Sequence, residues 1–278
     1  MKKFLRYALL VALGVILGIV ANRNREYLIN AQFIRNHLHF RKTIDNANQI
    51  MDDKKTMVCL VIGQSNAADY GLGNYKCKNE VYNFYKGDLY KAKEPLLGAD
   101  GDGSSVWTRV ADMVIDSGLY SKAVIIPCAI GSTAVSCWSD GPCHEQLLKT
   151  LRYLKDKKVN PTHIFWLQGE TDNFEGTTKE AYKKSLIKVI KTLRDNGIAA
   201  PFFTSITSYF PYNKTPFGIS PAITEAQRET IKEGINVKAG PNTDSINLAY
   251  YRQADLHFTE KGLDVLAYKW FVKIKAAQ

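Results

Sequence analysis

The stretch MVCLVIGQSN, residues 57–66, decides the fold class, because an apolar run ends there in a small polar turn. Residues 57–62 are apolar and rich in β-branched side chains, a composition that predicts a buried strand. Such a strand would deliver the hydroxyl of Ser65 to the carboxyl edge of a sheet, where open α/β sheets bind their ligands. Many strands end in a polar turn, so the stretch indicates a reactive serine only if other segments supply its partners.

Three further segments have the same form. The run VIIPCAIGST, residues 124–133, ends in a glycine turn whose backbone N–H groups can point into a site without a side chain in the way. The run IFWLQGETD, residues 164–172, ends in an amide, a glycine and two acids. The run DLHF, residues 255–258, carries an Asp-x-His pair ahead of a helical pattern. A hydroxyl, N–H donors, an amide and such a pair are the groups that acyl transfer through a serine requires.

In this order, the four segments resemble the conserved blocks of the SGNH hydrolase superfamily, and within it the branch of sialate O-acetylesterases and acetylxylan esterases. That branch carries Gly-Gln-Ser-Asn, Pro-x-Ala-x-Gly followed by a Trp, Gln-Gly-Glu-x-Asp and Asp-x-His, and all four motifs occur here. Smaller similarities lie at residues 92–96, at Trp138 and at residues 225–228. The resemblance covers roughly residues 57–275, and the combination is far more specific than any single motif.

The resemblance implies a serine esterase with assigned catalytic groups. Ser65 would be the nucleophile and His257 its general base, while Asp255 would hold the imidazole tautomer, the logic of a Ser-His-Asp triad. The oxyanion would be met by the backbone N–H groups of Ser65 and Gly131 and by the side-chain amide of Gln168. Each such donor typically lowers the barrier by about 3 kcal/mol.

Residues next to these groups receive supporting roles. Gln64 and Asn66 flank the serine, and Asn66 is interpreted as fixing the turn rather than touching substrate. Gln168 stands where many members of the superfamily have an Asn, and its extra methylene requires the strand to lie slightly farther back. Glu170 has two alternatives, orienting the catalytic imidazole or making a structural hydrogen bond at the strand end, and the structural role is favoured. Asp172 is interpreted as a turn or cap residue.

Apolar strands alternate with helical patterns along the chain, which predicts a parallel sheet flanked by helices. With the resemblance, this gives an α/β fold, a three-layer α/β/α sandwich with a mainly parallel, flavodoxin-like sheet. A chain of 278 residues with 45% hydrophobic composition suffices for one sizeable core, assigned here to an esterase domain at 56–278. A capping box at 177–180 opens a helix that ends at Gly197. The candidate strands are 57–62, 81–84, 123–128, 163–167, 202–206 and 235–239.

The N-terminal residues 1–21 are predicted to form a hydrophobic helix. Basic residues precede an uncharged run at 7–21, which is short for a spanning helix and suits the core of a signal peptide. The cleavage region is poor, because Ile19 and Ala21 stand where two small residues are expected, so an uncleaved signal anchor is favoured over a removed signal peptide. The catalytic domain would then lie in the cell envelope, outside the cytoplasm, or be secreted after cleavage. Residues 22–55 are predicted to be a polar, partly helical stem.

The formal net charge of +10 lies mostly in this N-terminal part. Residues 1–55 hold ten Lys or Arg against four Asp or Glu, a net charge of +6, which leaves only +4 for the remaining chain. The excess could meet anionic lipid headgroups at a membrane. No basic stripe with interleaved aromatic residues occurs in the catalytic part, so no nucleic-acid partner is predicted.

Cysteine and histidine usage limits the remaining possibilities. The chain has five cysteines, and Cys137 and Cys143 bracket a turn. Two alternatives remain for this pair, a disulfide in an external compartment or free, packed thiols. The histidines show no metal-ligand spacing, and the run at 100–103 lacks the acidic ligands of a calcium loop, so no metal and no cofactor is predicted.

The sequence therefore predicts a membrane-anchored serine esterase that hydrolyses O-acetyl esters on a carbohydrate. Sialic acid, xylan and a cell-envelope glycan are the substrate classes that the resemblance implies. Two alternatives remain. A carbohydrate O-acetyltransferase would use the same triad and pass the acetyl group to a sugar hydroxyl. A non-catalytic glycan-binding envelope protein would keep a degenerate esterase fold, although the intact Ser65, Asp255 and His257 argue against it.

Overall fold

A computed structural model describes residues 41–254 and 256–278, with a compact unit from Lys42 to Gln278. The predicted hydrophobic helix at 1–21 and the stem up to residue 40 lie outside the described residues, as does Asp255. The compact unit begins earlier than the predicted boundary at residue 56. The reason is that Ile44 N donates to Leu89 O at 2.8 Å and Ile50 is buried in the core. No helix in the described part of the chain is long and apolar enough to cross a bilayer.

A seven-stranded sheet forms the centre of the unit, in the order β3-β2-β4-β1-β5-β6-β7. Every neighbouring pair is parallel except β2 and β3, which confirms the predicted mainly parallel α/β fold. Without the β2-β3 hairpin, the remaining five strands follow the flavodoxin-like order 2-1-3-4-5. The strands are β1 (Thr56–Gly63), β2 (Val81–Tyr85), β3 (Asp88–Lys91), β4 (Lys122–Ala129), β5 (His163–Leu167), β6 (Phe202–Ile206) and β7 (Val237–Asn242), and a separate antiparallel ribbon pairs β8 (Arg252–Gln253) with β9 (His257–Phe258).

Helices connect the strands, and four of those that the structure describes begin at a Ser or Thr side chain that caps the first turn. Thr178 accepts from Ala181 N and Thr259 from Gly262 N, each satisfying one of the free N–H groups of a first turn. The helices are α1 (Ala47–Asp52), α2 (Val106–Asp116), α3 (Val135–Ser139), α4 (Pro142–Asp156), α5 (Glu170–Glu175), α6 (Lys179–Asp195), α7 (Pro221–Glu233) and α8 (Glu260–Lys275), with 3₁₀ turns at Ser65–Ala67, Pro216–Gly218 and Ala249–Tyr251.

The two faces of the sheet are both buried, because β1 alternates its side chains between two apolar clusters. Val58, Leu60 and Ile62 pack in one cluster with residues of α4, α6 and α7. Met57, Cys59 and Val61 pack in the other with residues of α2 and α8. A strand covered on both faces reads as a continuous apolar run, as β1 does. The result is three layers, with helices on either side of the sheet.

Candidate active site

The carboxyl ends of β1, β4 and β5 meet at one edge of the sheet, because β4 and β5 pair with β1 on its two sides. The order of strands reverses at β1, and open α/β sheets form their ligand crevice at such a point. Three of the four sequence segments that carry the predicted site end these three strands. The fold therefore brings the serine, the glycine turn and the Gln-Gly-Glu segment to the same edge.

Two glycines allow the loops at this edge to approach closely. A Cβ on Gly63, at the end of β1, would lie 2.0 Å from Leu167 O, the carbonyl that ends β5. A Cβ on Gly169 would lie 1.9 Å from Thr207 O, just after β6. Both contacts are with backbone atoms that no side-chain rotation can move. Glycine is therefore required at both positions for the loops after β1, β5 and β6 to pack together.

The serine lies in the 3₁₀ turn Ser65–Ala67, and Gln64 anchors this turn to the neighbouring loop. The side chain of Gln64 is buried. Its Oε1 accepts three hydrogen bonds of 3.2 Å, from Gln168 Nε2 and from the backbone N–H groups of Gly169 and Thr171. The supporting role predicted for Gln64 thus has a defined geometry. Ser65 is only 5% exposed at the base of the edge.

Asn66 fixes the other side of the turn through a buried carboxyl. Its Nδ2 donates to Glu170 Oε1 at 2.6 Å. Burial raises the pKa of Glu170 to about 7, against the opposing effects of the Asn66 hydrogen bond and the nearby Arg252. This contact is a structural hydrogen bond at the strand end, the role favoured for Glu170 from the sequence. Within residues 41–254 and 256–278, the Glu170 carboxyl makes no hydrogen bond to His257.

The amide of Gln168 is fully buried and faces protein acceptors. Besides Gln64, its Nε2 donates to Thr133 O at 3.0 Å and to Asp172 Oδ2 at 2.5 Å. Exchanging its amide oxygen and nitrogen would point the oxygen at three acceptors, so the orientation is fixed. A developing oxyanion would have to replace one of these acceptors in order to receive a hydrogen bond from the Gln168 amide. The oxyanion role of Gln168 stays a prediction. Asp172 also accepts from Val135 N at 2.8 Å, which makes it a buried link to α3.

The ribbon β8-β9 carries His257 to the same edge. Cα atoms of the turn Ser65–Ala67 and of β9 lie within 8 Å of each other. Two hydrogen bonds hold the ribbon there, from Leu72 N to Phe258 O at 3.0 Å and from Gln253 Nε2 to Tyr70 O at 2.7 Å. Across the described ranges, no hydrogen bond joins the Ser65 hydroxyl to the His257 ring. Such bonds are often longer before substrate binds.

Tyr70 and Asp100 belong to this neighbourhood, although the sequence did not indicate them. The Tyr70 ring lies 5.1 Å from the His257 ring, centroid to centroid. Its hydroxyl donates to Asp100 Oδ2 at 2.8 Å, and the same oxygen accepts from Gly131 N at 3.2 Å. The N–H of the predicted oxyanion donor Gly131 thus donates to a carboxylate that also binds Tyr70, the residue whose ring lies beside the imidazole. Asp100 opens the run at 100–103, which is considered from the sequence only as a calcium loop, and no sequence signal indicates Tyr70.

Arg252 is a second group that the sequence did not indicate. It is buried, and it donates to three carbonyls of the chain around His257: Ile246 O at 2.6 Å, Leu256 O at 2.6 Å and Thr243 O at 3.1 Å. Burial lowers the pKa of Arg252 to about 10. The pKa of His257 is also lowered, first by burial and then by the Arg252 charge, which favours the neutral imidazole. A neutral imidazole is the form that a general base needs.

Two of the smaller sequence similarities form buried hydrogen bonds behind the site. Gln227 joins the ends of β5 and β6, since its Nε2 donates to Gln168 O at 3.1 Å and to Thr207 O at 2.8 Å. Glu94 accepts from Tyr75 N at 2.8 Å and from Ser105 N at 3.0 Å, at the start of α2. These motifs therefore support the loops of the edge and do not face it.

A disulfide joins Cys137 to Cys143, so this pair forms a bridge and not two free, packed thiols. The other three cysteines are free thiols, and burial raises the pKa of each of them to about 12. None is therefore poised as a thiolate nucleophile. In the part of the chain that the structure describes, no group of three or more His, Cys, Asp or Glu residues could hold a metal ion.

The model of one protein family matches residues 55–273, and its description is a carbohydrate esterase, sialic acid-specific acetylesterase. No curated protein sequence matches the chain. Many solved structures share the fold, and three of them illustrate the similarity. A protein from Arabidopsis thaliana is 17% identical, with a TM-score of 0.62 over 79% of this chain and 98% of its own. A carbohydrate acetylesterase from Xanthomonas citri is 17% identical, with a TM-score of 0.56 over 79% of this chain and 56% of its own. A family 3 carbohydrate esterase from Talaromyces cellulolyticus is 9% identical, with a TM-score of 0.52 over 80% and 97%.

Proposed function

The chain belongs to the carbohydrate esterase family of sialic acid-specific acetylesterases, and from this premise we propose that it hydrolyses O-acetyl esters of a carbohydrate through an acetyl-enzyme on Ser65. Family membership makes the protein a carbohydrate acetylesterase. The covalent mechanism, the residues that perform it and the sugar are the proposal. Sialic acid is the first substrate class to test, because the family description names it.

In the proposed first step, Ser65 Oγ attacks the acetyl carbonyl while His257 takes the hydroxyl proton. The tetrahedral intermediate collapses, the C–O bond to the sugar breaks, and the imidazolium returns the proton to the departing sugar oxygen. In the second step, water attacks the acetyl-serine, His257 again accepts and returns a proton, and acetate leaves. Asp255, which lies outside the described residues, is proposed as the partner of the imidazole.

The proposed oxyanion donors differ in how available they are. Ser65 N–H lies at the first position of its turn, where a helical N–H has no partner within the helix. Gly131 N–H donates to Asp100 over a relatively long 3.2 Å, so an oxyanion could replace that acceptor. The Gln168 amide would contribute by holding the turn through Gln64, and as a direct donor only if it released Asp172 or Thr133.

One observation carries the proposal most directly. The serine turn and the strand that holds His257 contact each other at the edge where the strand order reverses, although the two segments are almost two hundred positions apart in sequence. The test is acetate release from O-acetylated sialic acid, from acetylated xylan and from 4-nitrophenyl acetate by the purified full chain. Ser65→Ala should abolish release from all three with an unchanged circular dichroism spectrum. Undiminished release by that variant would remove the proposal.

We also propose that the catalytic unit functions outside the cytoplasm, anchored by residues 1–21. The disulfide supports this location, since such bonds persist in oxidising compartments. Expression of the full chain in bacteria, followed by fractionation, would test both parts. We expect the protein in the membrane fraction. When the cells are lysed under denaturing conditions without a reductant, Cys137 and Cys143 should not react with an added thiol reagent. Recovery in the cytosol with both thiols reactive would contradict the proposal.

A further inference from the structure

Exposed aromatic side chains gather where the last turn of α5 meets the loop at 208–218. Phe174 and Tyr212 are 64% and 66% exposed, and Phe210 lies between them. The ring centroids of Phe174 and Phe210 are 5.0 Å apart, and those of Phe210 and Tyr212 are 5.7 Å apart. We call these three residues the aromatic ladder. Phe217 follows on the same loop and is 89% exposed. A grouped exposed apolar surface of this kind marks a binding region more often than scattered single residues do.

The loop at 208–218, which carries Phe210 and Tyr212, is held in place by a buried side chain of α5. Asn173 Nδ2 donates to Ser208 O at 2.7 Å and to Gly218 O at 2.8 Å. Its Oδ1 accepts from Asn213 Nδ2 at 3.0 Å. Both ends of the loop are therefore fastened to α5, and the hydrogen bonds are shielded from water because Asn173 is buried. The exposed rings are thus presented on a fixed frame.

The ladder is linked at both of its ends to the segments that carry the proposed catalytic groups. At one end, Phe174 lies in α5, whose first residue Glu170 accepts from Asn66 beside the serine. At the other end, the Tyr212 hydroxyl donates to Ala254 O at 3.0 Å, three positions before His257. The frame of the ladder is therefore connected to both the serine turn and the histidine ribbon. A ligand whose ester reached Ser65 could extend over the ladder.

We propose that the aromatic ladder is a binding subsite for a pyranose ring of the acetylated carbohydrate, an inference that rests on the proposed function. The axial C–H bonds of a pyranose carry partial positive charge, and they match the negative face of an aromatic ring. Their contact also removes apolar surface from water while the sugar hydroxyls stay solvated. Lys214 is the only charged residue between positions 208 and 218. Such a surface suits a largely uncharged ring face better than a salt-bridged protein partner.

The test compares two esters in the same variants of the full chain. For each variant, kcat/KM is measured with two esters. One is an O-acetylated oligosaccharide of sialic acid or of xylose, and the other is 4-nitrophenyl acetate, which has no sugar ring. We expect Phe174→Ala to lower the ratio of the two values about ten-fold. Tyr212→Phe, which keeps the ring, should preserve the ratio. Tyr268→Ala is the matched control, because Tyr268 is 59% exposed on α8, away from the loop.

A ratio of the two kcat/KM values that stays unchanged in Phe174→Ala would overturn the inference, whether both values are retained or both fall equally. A ratio that stays constant while light scattering shows that Phe174→Ala converts an oligomer into a monomer would overturn it in favour of a protein interface. If the wild-type chain hydrolyses neither ester, the proposed function fails, and calorimetry with the unacetylated oligosaccharide decides on the subsite alone. Binding that Phe174→Ala weakens about ten-fold supports the subsite, whereas absent or equal binding excludes it.

Discussion

At the scale of single residues, the buried carboxyl of Glu170 makes the folded state sensitive to pH. Its pKa is raised from 4.5 to about 7, chiefly by burial. The folded state therefore binds a proton more tightly than the unfolded state does. Folding then becomes less favourable as the pH rises from 4.5 towards 7, because the charged form is disfavoured in the interior.

We expect Glu170→Gln to be stabilised relative to the wild type at pH 8 and much less so at pH 5. The amide keeps an oxygen for Asn66 and removes the charge that burial disfavours. The gain in free energy of unfolding of the variant over the wild type should be larger at pH 8 than at pH 5 by at most roughly 3 kcal/mol. Urea unfolding at both pH values measures it. Glu175→Gln, on the exposed end of the same helix, is the control, and an equal pH response in both variants would contradict the prediction.

How far the sequence predicts individual residues depends on where their partners come from. Gln64, Asn66 and Glu170 are indicated because they stand in motifs at strand ends, and the hydrogen bonds that each of them makes join the two motifs at that edge. Tyr70 and Arg252 stand in no recognisable motif. Their contacts arise only when separate loops meet in the fold, so periodicity and spacing carry no signal for them. The roles of Ser65, Asp255, His257, Gly131 and Gln168 stay predictions.

At the scale of elements, the ribbon β8-β9 needs an internal brace, because two strands of two residues each cannot hold the side chain of His257, the proposed general base, by their own ladder. Arg252 supplies the brace through three carbonyls and through its guanidinium, whose carbon lies 3.8 Å from the centroid of the Phe258 ring. Lysine keeps the charge but presents no planar fork that reaches three acceptors in fixed directions. The position of the ribbon therefore depends on arginine specifically.

We expect Arg252→Lys to lower kcat for 4-nitrophenyl acetate at least ten-fold with little change in KM, because a displaced imidazole affects chemistry more than binding of so small an ester. Arg194→Lys is the matched control. Arg194 also donates to three carbonyls, Ile198 O, Ala200 O and Asn236 O, but these precede β6 and β7 at the opposite edge of the sheet. Equal activities of the two variants would show that Arg252 does not position the ribbon.

The close approach of β5 and β6 gives a second prediction at this scale. Gly169→Ala would place a Cβ 1.9 Å from Thr207 O at a φ of +156°, and we expect it to lower the free energy of unfolding by about 3 kcal/mol or more. Gly176→Ala also has a positive φ but meets nothing within 4 Å, so it should lose only about 1 kcal/mol. Denaturant unfolding of both variants checks this, and similar losses would contradict the steric argument.

Elements with a strong local pattern could be predicted, and those set by turns or exposure could not. The predictions at 163–167 and 202–206 match β5 and β6 in full. The strand predicted at 235–239 begins only at Val237, because Ile235 is exposed and Asn236 has a φ of +55°. The hairpin strand β3 was missed, since its signal was the two-residue turn Lys86-Gly87, with φ values of 50° and 91°. The helix predicted from a cap at Thr177 is capped by Thr178.

At the scale of the whole molecule, the topology joins segments that are far apart in sequence. Periodicity predicted strands and helices, but it contained no information on their order in the sheet, which came from the resemblance. The order places β1 between β4 and β5, and the loops after these strands then share one edge. The C-terminal helix α8 packs on the opposite face from α6 and follows directly after the histidine ribbon. Helix α8 thus packs in the same apolar cluster as β1.

The central claim is that Ser65 is a nucleophile activated by His257 across this distance. The most direct measurement is labelling of the full chain with a fluorophosphonate, followed by peptide mass spectrometry of the modified serine. We predict one label per chain, on Ser65, and a rate of labelling that falls at least a thousand-fold in His257→Ala, as removal of a triad base does. Modification of a different serine, or labelling of Ser65 at an unchanged rate in His257→Ala, would contradict the claim.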